Sequence, residues 1–414
     1  MIGKLALRSM TRNRWRTALT IAAVAMGVGV LIWLSGYMRG FQNEIVRGAT
    51  AADLGQVQIA AKEWVETPST RYTFEADTTF VEQVEAIPGV ASASPRVSLF
   101  GLVGNEQTSV VARIIGVDPA READTTVVAT GLSDGRWLSP EPPEYPEPRE
   151  VVLGVKFAQQ LEVGVGDELV AFFEAADGSL GNELLEVVGI VSSGNGMIDR
   201  QSAYMHLSDL QVAAAMEGQL HQIAIRIADP NAAEAVAAQV GSAVARDDLA
   251  VRSWQAIMPE IQGMVRTMEQ SDGIMYIFVY ILVAFGLFNA QRMSALERRR
   301  EFAMMMAIGV TPPKLFWTVL LETILIAMAG AMAGAIVGSA ATWFFVINGL
   351  DLAAFNTSAD GSFQVMGISF SNRLYFVLTL ESVFKPVAVL VPFAVFCGLW
   401  PAVTAARVEI TAAL

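Results

Sequence analysis

The chain has 414 residues, of which 53% are hydrophobic and 17% are charged, and its formal net charge is −13. This composition is too apolar for an ordinary soluble protein and too charged for a chain buried wholly in lipid. It therefore predicts membrane helices together with a water-exposed domain, and the single cysteine, Cys397, excludes an intrachain disulfide.

Four stretches are long and apolar enough to cross a bilayer, which takes about 20 residues. We predict transmembrane helices at residues 17–38, 273–291, 315–350 and 386–406. The first is interpreted as an uncleaved anchor rather than a signal peptide, because its apolar core is long and charged residues follow it. Four buried helices of a soluble protein are the alternative. Soluble cores rarely contain four runs of this length with a single charge, Glu322.

Lysine and arginine set the orientation, because basic residues stay on the cytoplasmic side. They predominate in residues 1–16 and 292–314, and the tail at residues 407–414 holds Arg407, so these three segments are placed on the cytoplasmic side. Residues 39–272 hold 15 Lys and Arg against 34 Asp and Glu, so this segment is placed outside, as is the loop at residues 351–385. Within residues 1–16 the cations recur every four residues, which is typical of a helix lying on the inner leaflet. A plain topology signal explains these charges equally well.

The outer segment alternates strand-like and helix-like patterns, so a mixed α and β domain is expected. Two strand–helix–strand pieces, at residues 39–117 and 215–260, flank a different, β-rich middle at residues 118–214. This order predicts one subdomain that is interrupted by another. In the second piece, Asp229 is expected to cap a helix that begins at Pro230.

Residue types needed for catalysis or metal binding are scarce. The two histidines, His206 and His221, are not spaced as a metal pair, and no G-x-S-x-G nucleophile motif occurs. No G-x-x-x-x-G-K-[ST] pattern occurs either, so the chain has no P-loop for ATP. We therefore expect a non-catalytic protein without a metal or cofactor of its own, which binds or moves something.

A charged segment, LERRREFAMMMAIGVTPPKL at residues 296–315, separates the second and third spans. Residues 295–308 favour helix, and Gly309 is a natural stop. Thr311 and Pro312 suit the start of the next helix. At 1.5 Å per residue the first helix is a rod of about 20 Å. Its arginines can bind carboxylates and its methionines offer an apolar side, so we predict a lever that is pushed by a cytosolic protein.

Several motifs resemble those of FtsX/MacB/LolE-type permeases, the type VII or mechanotransmission ABC transporters. They are ERRREF at Glu297–Phe302, AIGVT at Ala307–Thr311, Leu321-Glu322, the opening LALRSMTRNRWRTALTIAAVAMGVGV, and the closing residues Pro401, Ala402, Ala405, Ala406 and Arg407. The resemblance covers the whole chain and implies that residues 292–314 form the coupling helix against an ATPase. The implied coupling residues are Glu297, Arg298, Arg299, Arg300, Glu301, Phe302, Met305, Ala307, Gly309, Val310 and Thr311.

The resemblance also implies partners and a location. ATP and Mg²⁺ are expected on a separate ABC ATPase bound in two copies, and a second permease subunit, identical or homologous, completes a dimer in the bacterial inner membrane. The outer domain is then periplasmic, with a porter-like part and an inserted β-rich part. Membrane lipid and a periplasmic carrier or envelope partner are further expected contacts, whereas nucleic acid is not.

Lipoprotein release is the function that the resemblance favours. The hairpin after Phe173 is too short for the hook of LolC-like subunits, so the chain is placed nearer to LolE-like subunits, which lack that hook. MacB-like efflux of a small molecule or peptide is one alternative. A membrane sensor that performs no transport is the other.

Three further groups in the membrane segments have open interpretations. Glu322 is an intramembrane acid that is either functional or, the favoured interpretation, paired with an arginine of the coupling segment. Gly330, Gly334 and Gly338 allow close helix packing, within one subunit or across a dimer. A lipid-like substrate is one expected contact of six apolar residues, although ordinary lipid-facing or packing roles are favoured for them: Leu31, Ile32, Leu34, Phe278, Phe285 and Phe288.

Overall fold

The structure, a computed structural model, describes residues 14–51, 55–352, 364–365, 368–369 and 373–408. Its contacts divide the chain into two compact units. The helical unit comprises Met1–Asn43, Val265–Ala354 and Arg373–Leu414, and the sheet unit comprises Glu44–Met264 and Phe355–Asn372. Most of the predicted interfacial helix at residues 1–16, most of the tail at residues 407–414 and the middle of the loop at residues 351–385 lie outside the described residues.

Four helices of the described chain are long and apolar enough to cross a membrane. They are α1 (Arg14–Thr50), α10 (Pro259–Glu297), α12 (Pro312–Asn348) and α13 (Leu380–Ala406). The last begins six residues before the predicted span, because Thr379 and Ser382 form a reciprocal capping box that starts the helix there. Short strands β13 (Leu350–Asp351) and β16 (Arg373–Leu374) pair in the same unit.

Glycines bring α12 against α1 in the core of the helical unit. A Cβ built on Gly330 would lie 2.6 Å from the Val24 Cβ, and one on Gly334 would lie 2.5 Å from the Ala25 carbonyl oxygen. At Gly338 the equivalent distance to the Gly29 Cα is 2.7 Å. No side chain fits at such distances, so the glycine stripe is used for packing between helices of one chain. Val24, Val28 and Ile32 of α1 complete this core with residues of α10, α12 and α13.

The sheet unit is built on a ten-stranded mixed sheet in the order β12-β1-β11-β3-β4-β9-β6-β8-β5, and β7 pairs with β3 and β8. The bounds are β1 Val57–Ala61, β3 Val90–Gly104, β4 Ser109–Val117, β5 Leu132–Gly135, β6 Arg149–Gly154, β7 Glu168–Glu174, β8 Leu180–Val191, β9 Ser202–His206, β11 Gln222–Ile227 and β12 Leu249–Ser253. Two separate pairs complete the strands: β2 (Phe74–Glu75) with β10 (Gln219–Leu220), and β14 (Gln364–Val365) with β15 (Ile368–Ser369).

Strands from residues 118–214 lie next to one another at one end of the sheet, and strands from the two flanking pieces lie at the other. The fifteen-residue strand β3 joins the ends, because it pairs with β11 and β4 and also with β7. The predicted fold class, four apolar helices plus an α+β domain with a β-rich insertion, is confirmed.

The helices of the sheet unit are short. They are α2 Lys62–Glu66, α3 Thr78–Glu85, α4 Pro119–Thr125, α5 Val155–Leu161, α6 Ile198–Gln201, α7 Leu207–Ala213, α8 Ala233–Val244 and α9 Trp254–Ile257. The prediction that a helix begins at Pro230 is wrong by three residues. Pro230–Ala232 form a 3-10 turn, closed by a hydrogen bond from the Ala232 N–H to the Asp229 carbonyl, and α8 follows it.

A buried ion pair fixes α4 to β3. The Arg96 Nη2 donates to Glu122 Oε1 at 2.6 Å, and both side chains are fully buried. Ser94 and Thr126 donate their hydroxyls to the same carboxylate at 2.7 and 2.6 Å. With its oxygens bound in this way, the charge of Glu122 is stabilised away from water.

Candidate coupling site

The charged segment contains the end of one helix and the whole of a second, and the chain breaks between them at Arg298. Helix α10 ends at Glu297, Arg298 leaves helical geometry with ψ of 8°, and α11 spans Arg299–Ala307. The prediction of one helix over residues 295–308 is therefore wrong. Nine residues give a rod of about 13 Å instead of about 20 Å.

The segment ends as its residue types predict. Gly309 has φ of +101°, a left-handed geometry that favours glycine, and the chain then turns into α12. Thr311 occupies the N-cap position in extended geometry, although its side chain donates or accepts no capping hydrogen bond, and Pro312 begins the helix.

One side of α11 is anchored in the helical unit. Phe302 is 1% exposed and Ala303 is 0% exposed, and both pack among Leu315, Val319 and Ala402. Met305 and Met306 are half-buried against the same cluster. Phe302 is therefore an anchor rather than a contact for an external protein.

The opposite side of α11 is open. We call the exposed side chains Arg299, Arg300, Met304, Ala307 and Ile308 the exposed coupling face. Ile308 is 84% exposed, and among the described residues neither arginine has an ion-pair partner. Two unpaired guanidinium groups beside apolar side chains suit an acidic and apolar groove on another protein.

Arg298 lies at the break between α10 and α11, and its side chain binds residues of α11 and α12. Its Nη1 donates to both oxygens of Glu322 on α12, at 3.1 and 2.9 Å, and its Nε donates to Glu301 Oε2 on α11 at 3.3 Å. The guanidinium also lies over the Phe302 ring, 5.1 Å from its centroid. Glu322, whose side chain is 8% exposed, thus has an arginine of the coupling segment as its partner.

A second ion pair ties α1 to the end of α10. Arg16 Nη2 donates to Glu297 Oε1 at 2.7 Å, and Nη1 binds the other carboxylate oxygen. Both ion pairs line a polar cavity of about 260 Å³, together with Thr17, Thr20, Ala290, Gln291, Ser294, Glu301 and Ile326. A cavity of this size and polarity accommodates several water molecules.

The predicted coupling residues thus fall into different environments. Arg299, Arg300, Ala307, Gly309 and Thr311 are exposed, Met305 and Val310 are half-buried, and Glu297, Arg298 and Glu301 border the polar cavity. No sequence motif marks Arg16, Thr20 or Gln291 as residues of this site. Arg16 and Glu297 are 281 positions apart, so no local pattern connects them.

The six residues predicted to face a lipid-like substrate do not share one surface. Leu31 and Ile32 are fully buried and Leu34 is half-buried, whereas Phe278 and Phe285 are 64% and 65% exposed. The last of the six, Phe288, is half-buried with its ring 5.8 Å from that of Trp400. The buried leucine and isoleucine pack inside the helical unit.

Titratable groups of the sheet unit serve the fold. Burial would raise the pKa of Glu150, but hydrogen bonds from Arg136 and Ser139 lower it to about 2. Burial lowers the pKa of His221 to about 4, and this neutral ring accepts from the Ser98 N–H and lies 3.2 Å from the Thr70 carbonyl oxygen. In the described part of the chain, no three His, Cys, Asp or Glu side chains are arranged to hold a metal.

Comparisons with known proteins match both units. Residues 17–243 match the MacB-like periplasmic core domain, and residues 273–410 match the FtsX-like permease C-terminal family. The lipoprotein-releasing system transmembrane protein LolC of Neisseria meningitidis serogroup B is 24% identical over 358 residues, which cover 83% of this chain and 81% of that protein. The macrolide export ATP-binding/permease protein MacB of Chromobacterium violaceum is 21% identical over 342 residues, 80% of this chain and 51% of that protein.

Two crystal structures are similar to parts of the chain. The similarity to the periplasmic region of MacB from Actinobacillus actinomycetemcomitans covers 52% of this chain and 95% of the chain in that crystal structure, with 16% identity and a TM-score of 0.37. The extracellular domain of the transporter YknZ from Gram-positive bacteria covers 48% of this chain and 99% of its own, with 11% identity and a TM-score of 0.34.

Proposed function

Because the chain belongs to the FtsX/MacB/Lol-type ABC transporter permeases, we propose that it transmits ATP hydrolysis by a separate ATPase to its periplasmic domain and so extracts or releases a lipoprotein or another lipid-linked substrate. In this proposal two ABC ATPase subunits carry the ATP and Mg²⁺. A second permease subunit, identical or homologous, completes the assembly in the inner membrane. The chain itself performs no catalysis.

The exposed coupling face carries this proposal. It lies on a nine-residue helix between two membrane helices. It combines the apolar Met304 and Ile308 with Arg299 and Arg300, which form no ion pair with any residue in the described part of the chain. The other side of the same helix is anchored by Phe302 and by Arg298. A force applied to the face therefore has a rigid route into α12, which is what coupling to an ATPase requires.

Relatives support the lipid-linked substrate. The LolC of Neisseria meningitidis is named for lipoprotein release and aligns over 81% of its length, whereas the MacB of Chromobacterium violaceum aligns over 51% of its length. Efflux of the MacB type is the second candidate, because the MacB relatives align over as much of this chain. Two predictions stay untested: that the chain is nearest to LolE-like subunits, and that it is a membrane sensor without transport.

The test uses the full-length chain, purified with its co-expressed ABC ATPase and reconstituted in proteoliposomes of host lipids. Two variants alter the exposed coupling face: R299E/R300E and Ala307→Trp. Loss of one charge-assisted contact, worth about 1.5–3 kcal/mol, reduces binding about tenfold or more. We expect stimulated ATP turnover to fall by about the same factor in both variants, because docking limits coupling.

Arg407→Glu is the matched control, because Arg407 is also an exposed arginine beyond a membrane helix but lies outside the coupling face. It is expected to retain the turnover of the parent. Equal turnover in the parent and in both face variants would contradict the proposal. Glu301→Lys is a less selective variant, because Glu301 binds Arg298 and a lysine there would repel it.

Substrate class is tested in the same proteoliposomes. A triacylated lipopeptide is expected to stimulate ATP turnover, and a macrolide is not. The reverse result would favour MacB-like efflux and remove lipoprotein release.

A further inference from the structure

The polar cavity of the helical unit has a buried amide on its wall that its surroundings leave without a partner. The cavity, of about 260 Å³, is lined by residues of α1, α10, α11 and α12. Gln291 lines it and is 5% exposed, and no residue in the described part of the chain is a hydrogen-bond partner of its side chain. Because buried amides are nearly always hydrogen-bonded, this one indicates that a bound molecule supplies the partner.

Two further groups on the cavity wall have unused hydrogen-bonding capacity. Arg298 donates from Nη1 to Glu322 and from Nε to Glu301, but its Nη2 has no acceptor among the residues that the structure describes. The hydroxyl of Ser294 has no partner among them either. Residues 291, 294 and 298 are three and four positions apart, so they follow one another along one side of α10 and its end. Their free donors therefore face the same volume.

Charged side chains of both signs line this cavity. Arg16 and Glu297, which bind each other, have side chains 34% and 38% exposed and mark its rim, whereas Glu322 lies deeper at 8%. A free phosphate ion would meet three carboxylates, since Glu301 also lines the cavity, and a simple cation would meet two guanidinium groups. A ligand that carries both a phosphate and an ammonium group matches this lining better than either ion.

The position of the cavity is that of the inner-leaflet head groups. Arg16 precedes the first predicted span, and Glu297 lies in the basic segment that follows the second, and basic segments of this kind are cytoplasmic. Large apolar side chains on the same two helices are exposed next to the lining positions, namely Leu19 on α1 and Met293 on α10. They provide a surface for the acyl chains of a lipid whose head group enters the cavity.

We propose that this cavity binds the head group of an inner-leaflet phospholipid that carries a phosphate and a primary ammonium group. The phosphate accepts hydrogen bonds from the Gln291 amide, the Ser294 hydroxyl and Arg298 Nη2. The ammonium group donates to Glu297, whose carboxylate keeps acceptor capacity beyond the two hydrogen bonds from Arg16.

Size and chemistry favour ethanolamine over the other common head groups. Phosphoethanolamine has about eight non-hydrogen atoms, and a cavity of about 260 Å³ has room for it at about 30 Å³ for each water-sized group. A choline head group is bulkier, and its methylated nitrogen has no N–H to donate to Glu297. A glycerol head group carries no cation.

The site needs neither the ATPase nor the substrate proposed above. Lipid retention is measured on the purified chain alone, so the lipid test and the ATP turnover test can fail separately.

The experiment identifies the lipid that the full-length chain retains. The chain, purified in a mild detergent, is equilibrated with equal amounts of phosphatidylethanolamine, phosphatidylcholine and phosphatidylglycerol that have the same acyl chains, and native mass spectrometry counts the bound lipids. We expect about tenfold more phosphatidylethanolamine than either competitor, the factor that corresponds to one charge-assisted hydrogen bond. Equal retention of the three lipids, which is expected of a cavity that holds only water, would overturn the proposal.

Variants of the cavity wall test the contacts. Gln291→Leu removes the amide at nearly constant size and is expected to lower the preference for phosphatidylethanolamine about tenfold. Ser294→Ala, a smaller change, is expected to lower the preference in the same direction. Asn289→Leu is the matched control, because Asn289 carries an exposed amide on the same helix and does not line the cavity. It is expected to keep the preference of the parent.

A purely structural role of the buried amide predicts a different result. In that case Gln291→Leu raises the melting temperature and leaves lipid retention unchanged, because an apolar side chain replaces an unsatisfied polar one. Unchanged retention in both cavity variants, or an equal loss in Asn289→Leu, would therefore overturn the proposal.

Competition distinguishes a lipid from a soluble compound with the same head group. An excess of glycerophosphoethanolamine is expected to displace the bound phosphatidylethanolamine, because both present the same phosphate and ammonium groups. Retention of glycerophosphoethanolamine by a chain that retains no lipid would overturn the assignment to a membrane lipid.

Discussion

The Arg298–Glu322 ion pair gives a quantitative test of how α11 is held to α12. Glu322 is 8% exposed and accepts two hydrogen bonds from Arg298, which is itself 22% exposed. Removing one member of a buried pair costs about 3–5 kcal/mol, because the other charge stays buried. In the variant Glu322→Gln, Arg298 keeps Glu301 at 3.3 Å and some access to water. We therefore expect a smaller loss of about 2 kcal/mol in the free energy of unfolding.

Removal of the other partner, Arg298, is expected to lower the free energy of unfolding by a larger amount. Arg298→Met leaves the more deeply buried carboxylate of Glu322 without this donor, so we expect a loss of about 3 kcal/mol. The double variant removes both charges, and its loss is expected to be smaller than the two single losses added together. The resulting coupling energy is about 1–2 kcal/mol.

These changes in the free energy of unfolding are measured by reversible unfolding in mixed micelles that contain an increasing fraction of a denaturing detergent. The exposed Arg39–Glu381 pair, with an Nη2–Oε2 distance of 2.7 Å, is the matched control and is expected to show much weaker coupling, because both side chains are solvated. Additive losses for Arg298 and Glu322, with a coupling energy under about 0.5 kcal/mol, would refute the inference that this pair anchors α11.

Two further predictions concern stability. Burial lowers the pKa of His221 to about 4, below its ordinary value of 6.5. As the pH falls, the unfolded chain therefore takes up the proton before the folded chain does. The contribution of His221 to the free energy of unfolding is complete above pH 6.5 and falls by about 3 kcal/mol between pH 6.5 and 4. His221→Gln should flatten this part of the melting profile, and an unchanged slope would contradict the assignment. Gly334→Val should lower the melting temperature of the full-length protein strongly, because its side chain meets the Ala25 carbonyl and Val28, whereas Gly286→Val, with open space around it, should change little.

Periodicity and composition were sufficient to predict the fold class. The four spans are long apolar runs, and the strand–helix–strand pieces of the sheet unit carry alternating and amphipathic patterns. Local residue types also placed the stop at Gly309 and the start at Pro312. These features depend on residues that are close in sequence.

Features that depend on distant residues could not be predicted. Helix propensity favours a continuous helix through Arg298, but the chain breaks at that residue, whose side chain binds Glu322 on another helix. The pair of Arg16 with Glu297 depends on the packing of α1 against α10. Membrane helices that are apolar on all sides do not reveal which face is buried, so the burial of Leu31 and Ile32 was not visible in the sequence.

The run of three arginines shows how neighbouring identical residues acquire different roles. Successive residues of a helix are about 100° apart around its axis, so neighbouring side chains point in different directions. Arg298 points inward to Glu301 and Glu322, whereas Arg299 and Arg300 remain exposed. The inward arginine must serve two carboxylates on two helices, and its planar fork of donors does this better than the single ammonium of lysine. Under the proposed function, an ATPase that binds Arg299 and Arg300 and moves them also moves Arg298. The ion pair of Arg298 with Glu322 then transmits this force to α12.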